Sequence, residues 1–228
     1  MLSAELEHPG RPGAPPAIAN DAVARNLLRR AQGAFQKWPE GFAGFRARVL
    51  GETATGAREG QVVFAASSGI DVECADPALR AQLFGLMRSV VTQRTPCFFD
   101  DGDGRFPICF AERPADSPWR PIDVRSRFGE QRYWIDPSGR VRRVERAVRG
   151  IRTLTVFEEL ARTSPGRVLP TVTTISILDE ARGVRLWSET LSDTHRRVEH
   201  VWLPAGRRIT SGAESRGLSL TLHDHELL

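Results

Sequence analysis

Lysine is almost missing from this chain: Lys37 is the single lysine among 32 basic residues, and the others are arginine. Cysteine is scarce as well. Three thiols, Cys74, Cys97 and Cys109, are too few and too odd in number for a disulfide scaffold. No stretch approaches the roughly 18 consecutive apolar residues of a membrane helix, so no spanning helix is expected. No serine sits in a Gly-x-Ser-x-Gly elbow, and no helix-turn-helix, zinc-finger or RNP-like pattern is present. What remains is a chain of 228 residues with 40% hydrophobic side chains. That is enough to build one substantial core, which excludes an intrinsically disordered protein.

The arginine bias is what a GC-rich genome produces, but its distribution carries information. Trp119 to Arg152 holds ten arginines and four acids, so the excess positive charge of the chain is concentrated there. Arginine on strands binds carboxylates and phosphates through its two-pronged guanidinium. The first nineteen residues behave differently. They contain Pro9, Pro12, Pro15 and Pro16, without the basic start and greasy run of a secretory signal. A disordered tail over 1–19, a single domain over 20–228 and a cytoplasmic protein with reduced thiols are the corresponding expectations.

Asn20 and Asp21 can cap a helix carrying Ala24, Leu27, Leu28, Ala31, Ala34 and Phe35 at helical spacing, with Pro39 as its stop. Strand-like runs follow at Phe45 to Leu50 and Gln61 to Cys74. Asp76 and Pro77 open a second helix with Leu79, Leu83, Leu86, Met87 and Val90 on one face. Pro96 to Arg120 reads as loop with a short strand near Phe106 to Phe110. Strands and turns continue from Pro121 to the end, including a hairpin about Asp136-Pro137-Ser138-Gly139 and a strand from Val168 broken by Pro170. Several strands are apolar on both faces, so the sheet is expected to curl. The fold class is α+β: a strongly curved antiparallel half-barrel of roughly eight to ten strands with two N-terminal helices packed on it.

Catalytic signals are weak. Asp100 to Gly104 fails the spacing of a calcium loop and reads as a polar turn. His195 and His200 lie five apart, which puts them on opposite faces of a strand rather than on one metal. Cys97 beside Phe98 has no assignable base. The aromatics are more suggestive, because Trp134 and Trp187 lie on strands beside arginines, and that combination makes binding hot spots.

Several motifs together resemble a known family. They are Trp38-Pro39-Glu40-Gly41-Phe42-Ala43-Gly44-Phe45, Arg94-Thr95-Pro96-Cys97-Phe98, Tyr133-Trp134-Ile135, Leu169-Pro170-Thr171, Trp202-Leu203-Pro204 before Arg207-Arg208, and the ending His223-Asp224-His225-Glu226-Leu227. The family is an uncharacterised bacterial domain of unknown function, about this length and common in cyanobacteria. Its element order is similar to the half-barrels of periplasmic lipoprotein carriers, in which a curved sheet wraps helices and holds acyl chains. The family supplies no catalytic residues.

The reading that follows is a non-enzymatic cytoplasmic binding or escort protein for an elongated ligand. The ligand is an extended acidic peptide or a lipophilic small molecule with an acidic head. Arg132, Arg143, Arg146 and Arg152 are the expected anion contacts, with Trp134 and Trp187 as the apolar floor. No catalytic residue, cofactor, metal or nucleic-acid partner is expected, and a homodimer is left open. The alternative is a biosynthetic enzyme working in the same groove with His195, His200 or Cys97.

Overall fold

The computed structural model describes residues 20–53, 56–126, 129–211 and 217–228. The expected tail over 1–19 lies outside the described residues. Both helices begin where the sequence places a cap. Helix α1 (Ala22–Gly33) follows Asp21, whose carboxylate accepts from the amides of Val23 and Ala24. Helix α2 (Pro77–Arg94) follows Asp76, which accepts from Ala78 and Leu79, with Pro77 in the first turn. The buried face of α2 carries Leu79, Leu83, Leu86, Met87 and Val90, as the spacing requires. Helix α1 ends at Gly33, well ahead of Pro39. There the chain leaves the helix for the sheet: Phe35 bridges Val168, and Gln36 N donates to the Val168 carbonyl at 2.8 Å.

The strands are β1 (Gly44–Thr53), β2 (Gly56–Ala65), β3 (Gly69–Glu73), β4 (Ile108–Phe110), β5 (Arg120–Ser126), β6 (Gly129–Ile135), β7 (Val141–Val148), β8 (Ile151–Ser164), β9 (Arg167–Asp179), β10 (Val184–Val198), β11 (Val201–Ser211) and β12 (Leu218–Leu227). They form one open sheet of 12 strands in the order β3-β2-β1-β12-β11-β10-β9-β8-β7-β6-β5-β4. Every pairing is antiparallel. The count exceeds the eight to ten expected. One reason is that Gln61 to Cys74, read as a single run, reverses after Ala65 and contributes to both β2 and β3. Pro170 does not break β9 either. It lies opposite Leu160, where the register shifts, and a residue without an N–H is tolerated at such a bulge.

The helices divide the core between them. Leu79, Leu83 and Met87 of α2 pack on Phe45, Val49, Val62, Leu203 and Leu220. Leu28 and Ala31 of α1 pack on Ile108, Ile122, Tyr133 and Val141. Extra residues at register shifts in β7, β8, β9, β10, β11 and β12 bend those strands, and the sheet curves about the helices. The segment joining α1 to β1 crosses the same face. Trp38 stacks on Phe64 at 5.0 Å and donates its indole N–H to the Trp202 carbonyl at 3.2 Å.

Gly44 closes this segment with φ +143, and a Cβ there would run into the Phe64 carbonyl of the neighbouring strand. Gly44→Ala is expected to lower the unfolding free energy by about 2 kcal/mol or more. Gly33, whose Cβ would meet nothing, should accept alanine without loss. Urea midpoints for the two variants check this pair, and equal midpoints would contradict it.

Candidate functional site

The inner face of the sheet is not filled between α1 and the middle strands. A cavity of about 940 Å³ remains there. That is near the upper end of the roughly 300–1,000 Å³ typical of small-molecule sites. Its walls come from the C-terminal ends of α1 and α2, the loop from Pro96 to Asp103, and the inward side chains of β6 to β9. The cavity is long. Pro170 and Val148 both line it, and they pair with Leu160 and Ile151, nine residues apart on β8. At about 3.4 Å per residue that stretch of strand spans roughly 30 Å.

The middle of the cavity is aromatic, with Phe35 and Phe157 in tilted contact at 5.2 Å. Phe98 and Phe99 also line it, Phe99 beneath the Arg29 guanidinium at 5.0 Å. The lining acids are all engaged. Asp100 pairs with Arg29 at 2.6 Å, and Glu130 with Arg125 at 3.3 Å. Asp103 accepts from the Tyr133 hydroxyl and from Gln32, each at 2.6 Å. The residues that resembled half a calcium loop therefore fasten the loop to α1 and β6.

The lining cations are differently placed. Among the described residues, Lys37, Arg94, Arg146 and Arg167 have no carboxylate within 4.0 Å. Lys37 Nζ donates to the Gln93 carbonyl at 2.6 Å, Arg146 Nε to Gln131 at 3.0 Å, and Arg167 to the Gly33 carbonyl. Arg94, only 5% exposed, reaches the Gln36 carbonyl at 3.4 Å and the His195 ring at 3.5 Å. Burial pushes the Lys37 ammonium below its usual range. It pushes Arg94 down to about 10, an effect that Asp193 opposes and Arg207 reinforces. Lys37 and Arg94 lie close enough to repel each other. An anion at this end of the cavity would relieve both.

Behind Arg94 lies a second polar layer. Arg207, 5% exposed, is held two-pronged by Asp193 at 2.6 and 2.8 Å. The His195 Nε2–H donates to the Pro170 carbonyl at 2.9 Å, which leaves Nδ1 to accept from Arg94. Burial holds the His195 pKa below its ordinary 6.5, with Arg94 contributing in the same direction. The unfolded chain therefore takes up this proton first as pH falls. The stability held by neutral His195 is complete above about pH 6.5 and is lost progressively below it. Melting temperature should fall between about pH 7 and about pH 5, and less steeply for His195→Gln. A slope unchanged by the substitution would contradict this assignment.

The structure divides the six expected ligand contacts between the two faces of the sheet. Arg132, Trp134, Arg143 and Arg152 are brought together on the outer face around Glu145. Glu145 accepts from the Trp134 indole at 2.8 Å and pairs with Arg143 at 2.8 Å and Arg152 at 3.1 Å. Arg143 also lies 5.2 Å over Trp134, Arg152 reaches Glu180 at 2.7 Å, and Arg132 holds Asp123 two-pronged. Arg146 alone lines the cavity. Trp187 lies on the inner face too, beyond the cavity, opposite Ile177. Sequence reasoning did not select Lys37, Arg94 or Arg167. Two of them carried a signal: Arg94 continues the helical spacing of Leu83, Leu86, Met87 and Val90 onto the buried face of α2, and Lys37 is the single lysine.

His195, His200 and Cys97 do not assemble. His200 contacts Glu199 at 3.8 Å in an exposed turn, and Cys97 contacts the Phe98 carbonyl. Among the described residues no three His, Cys, Asp or Glu side chains gather around a metal position, and no helix is long and apolar enough to cross a membrane.

A family profile matches residues 19–228. The chain belongs to the family of proteins of unknown function DUF3386. The match agrees with the resemblance read from the motifs and carries no information about cyanobacteria. A comparison with curated proteins gives no match. Among solved structures the chain is similar to a domain named for outer membrane lipoprotein sorting from Vibrio parahaemolyticus, with 10% identity, 90% of this chain and 92% of that chain covered, and a TM-score of 0.29. It is also similar to a DUF1329 family protein from Desulfovibrio piger, with 8% identity, 90% and 92% coverage, and a TM-score of 0.27. A third similarity is to MucB in complex with MucA(peri), with 12% identity, 90% and 94% coverage, and a TM-score of 0.26. The cytoplasmic expectation is corrected here. The similar structures include an outer membrane lipoprotein-sorting domain and a complex with MucA(peri), so a cytoplasmic location is not carried forward.

Proposed function

We propose that this protein binds and escorts an elongated amphiphile, a lipophilic molecule with an acidic head. One observation carries the reading. The cavity is long and aromatic at its centre, its lining acids are engaged, and four of its lining cations lack a carboxylate. The head would sit at the Lys37–Arg94 end, where two partly desolvated cations lie together. The apolar stem would pass over the Phe35–Phe157 pair toward Val148. Arg146 stays from the sequence-based set as a wall of this path, its guanidinium turned to Gln131 and its methylenes available to the stem.

Calorimetric titration with palmitate tests the proposal. A saturable, salt-weakened heat is expected, because part of the attraction is screened charge. A short glutamate-rich peptide, the other ligand expected from the sequence, should bind far more weakly. It lacks the apolar stem that the aromatic centre accepts. Tighter binding of the peptide than of palmitate would overturn the reading. Arg146→Ala should weaken palmitate binding by about 1 kcal/mol, while Arg132→Ala, on the outer face, should leave it unchanged.

A further inference from the structure

The apolar lining does not stop at Val148. Val148 pairs across its hairpin with Ile151, Ile151 with Asp179, and Asp179 with Val184. One step inward, Arg146 pairs with Thr153, Thr153 with Ile177, and Ile177 with Trp187. Directly opposed residues of an antiparallel sheet point to the same side. Val148, Ile151, Ile177, Val184 and Trp187 therefore share the inner face with Phe157, which meets Phe35; Asp179 stands in the same row, its carboxylate taken up by the amides of Ala181 and Arg182. Neither helix core reaches them: the α1 cluster stays on β4 to β8, and the α2 cluster on β1 to β3 and β10 to β12. Val148, Ile151, Val184 and Trp187 are 47%, 40%, 51% and 39% exposed, and Leu186, in the bulge before Trp187, is 54% exposed.

We infer that this shelf holds the far part of the ligand's apolar tail once the tail has filled the cavity, so that the protein selects long-chain amphiphiles over short ones. The inference rests on the proposed function. Continuity supports it, because Val148 belongs both to the cavity wall and to the shelf. Size supports it too. The exposed apolar area is on the order of 400 Å², about half of what each partner contributes to a stable protein interface. A strip spanning four strands, roughly 15 Å wide, fits a chain better than it fits a second copy of the protein.

Palmitate, whose extended chain ends within the cavity, and tetracosanoate, whose chain is long enough to pass Val148, titrated against wild type and Trp187→Ala, test the shelf. Wild type should bind both acids, tetracosanoate at least tenfold more tightly. Trp187→Ala should cost tetracosanoate about tenfold and leave palmitate within twofold. The wild-type tryptophan emission should shift to the blue with tetracosanoate and much less with palmitate. If Trp187→Ala affects neither acid, or both equally, the shelf is overturned while the cavity reading stands. If wild type binds neither acid, the proposed function itself fails. Ligand-free dimerisation that Trp187→Ala abolishes would overturn the inference in favour of a contact between copies.

Discussion

Asp193→Ala is expected to cost about 3–5 kcal/mol of unfolding free energy, the largest loss from any single polar side chain in the protein. Asp193 is the counterion of Arg207 and the main acidic influence on Arg94, and both arginines are 5% exposed. Removing it leaves two guanidinium groups and a neutral imidazole in one buried layer with no carboxylate hydrogen-bonded to them, Glu189 acting on Arg207 only at longer range. At about 2–4 °C per kcal/mol for a chain of this size, the melting temperature should fall by roughly 10 °C. Asp193→Asn should lose less, because the amide oxygen still accepts one of the two Arg207 hydrogen bonds. Removing both charges, as in Asp193→Asn with Arg207→Met, should recover part of the loss, since a buried pair costs most when only one partner is left. Equal melting temperatures for wild type and Asp193→Ala would show that this layer is hydrated rather than buried.

The second large effect concerns binding. Lys37→Gln should weaken palmitate by about 2 kcal/mol, roughly thirtyfold, by removing a charged contact to the carboxylate while keeping a donor. The fold should survive, because the lysine makes one hydrogen bond, to the Gln93 carbonyl, and an amide can replace it. Arg94 is a poorer test. It also ties α2 to Gln36 and His195, so its loss would mix binding with stability. Palmitate affinity for Lys37→Gln measured at low and at high salt separates the charge from the hydrogen bond, since wild type should lose more with salt than the variant, which keeps Arg94.

Local rules made the helices legible. The caps Asp21 and Asp76, Pro77, and the buried face of α2 depend on neighbours a few residues away, and the structure follows them. The two helices and the antiparallel sheet were legible for the same reason. Strand number was less so, because Ala66-Ser67-Ser68-Gly69 was passed over inside an apolar run although it carries turn residues. The candidate site was largely illegible. Its cations come from the segment after α1, the end of α2, strand β7 and the start of β9, and they converge only in three dimensions. Strand parity carries a further signal. Arg143 and Arg146 are three apart on one strand, so they must point to opposite faces and cannot bind one ligand together. That parity separates the Glu145 network on the outer face from Arg146 in the cavity.

On the proposed function, surplus positive charge at one end of a long apolar cavity selects an anionic amphiphile. Palmitate and the uncharged alcohol of the same chain length, titrated by calorimetry against the wild-type protein, test it most directly. The acid should bind at least a hundredfold more tightly, and Lys37→Gln should narrow that ratio by more than tenfold. Equal affinity for acid and alcohol, unchanged in Lys37→Gln, would contradict the account.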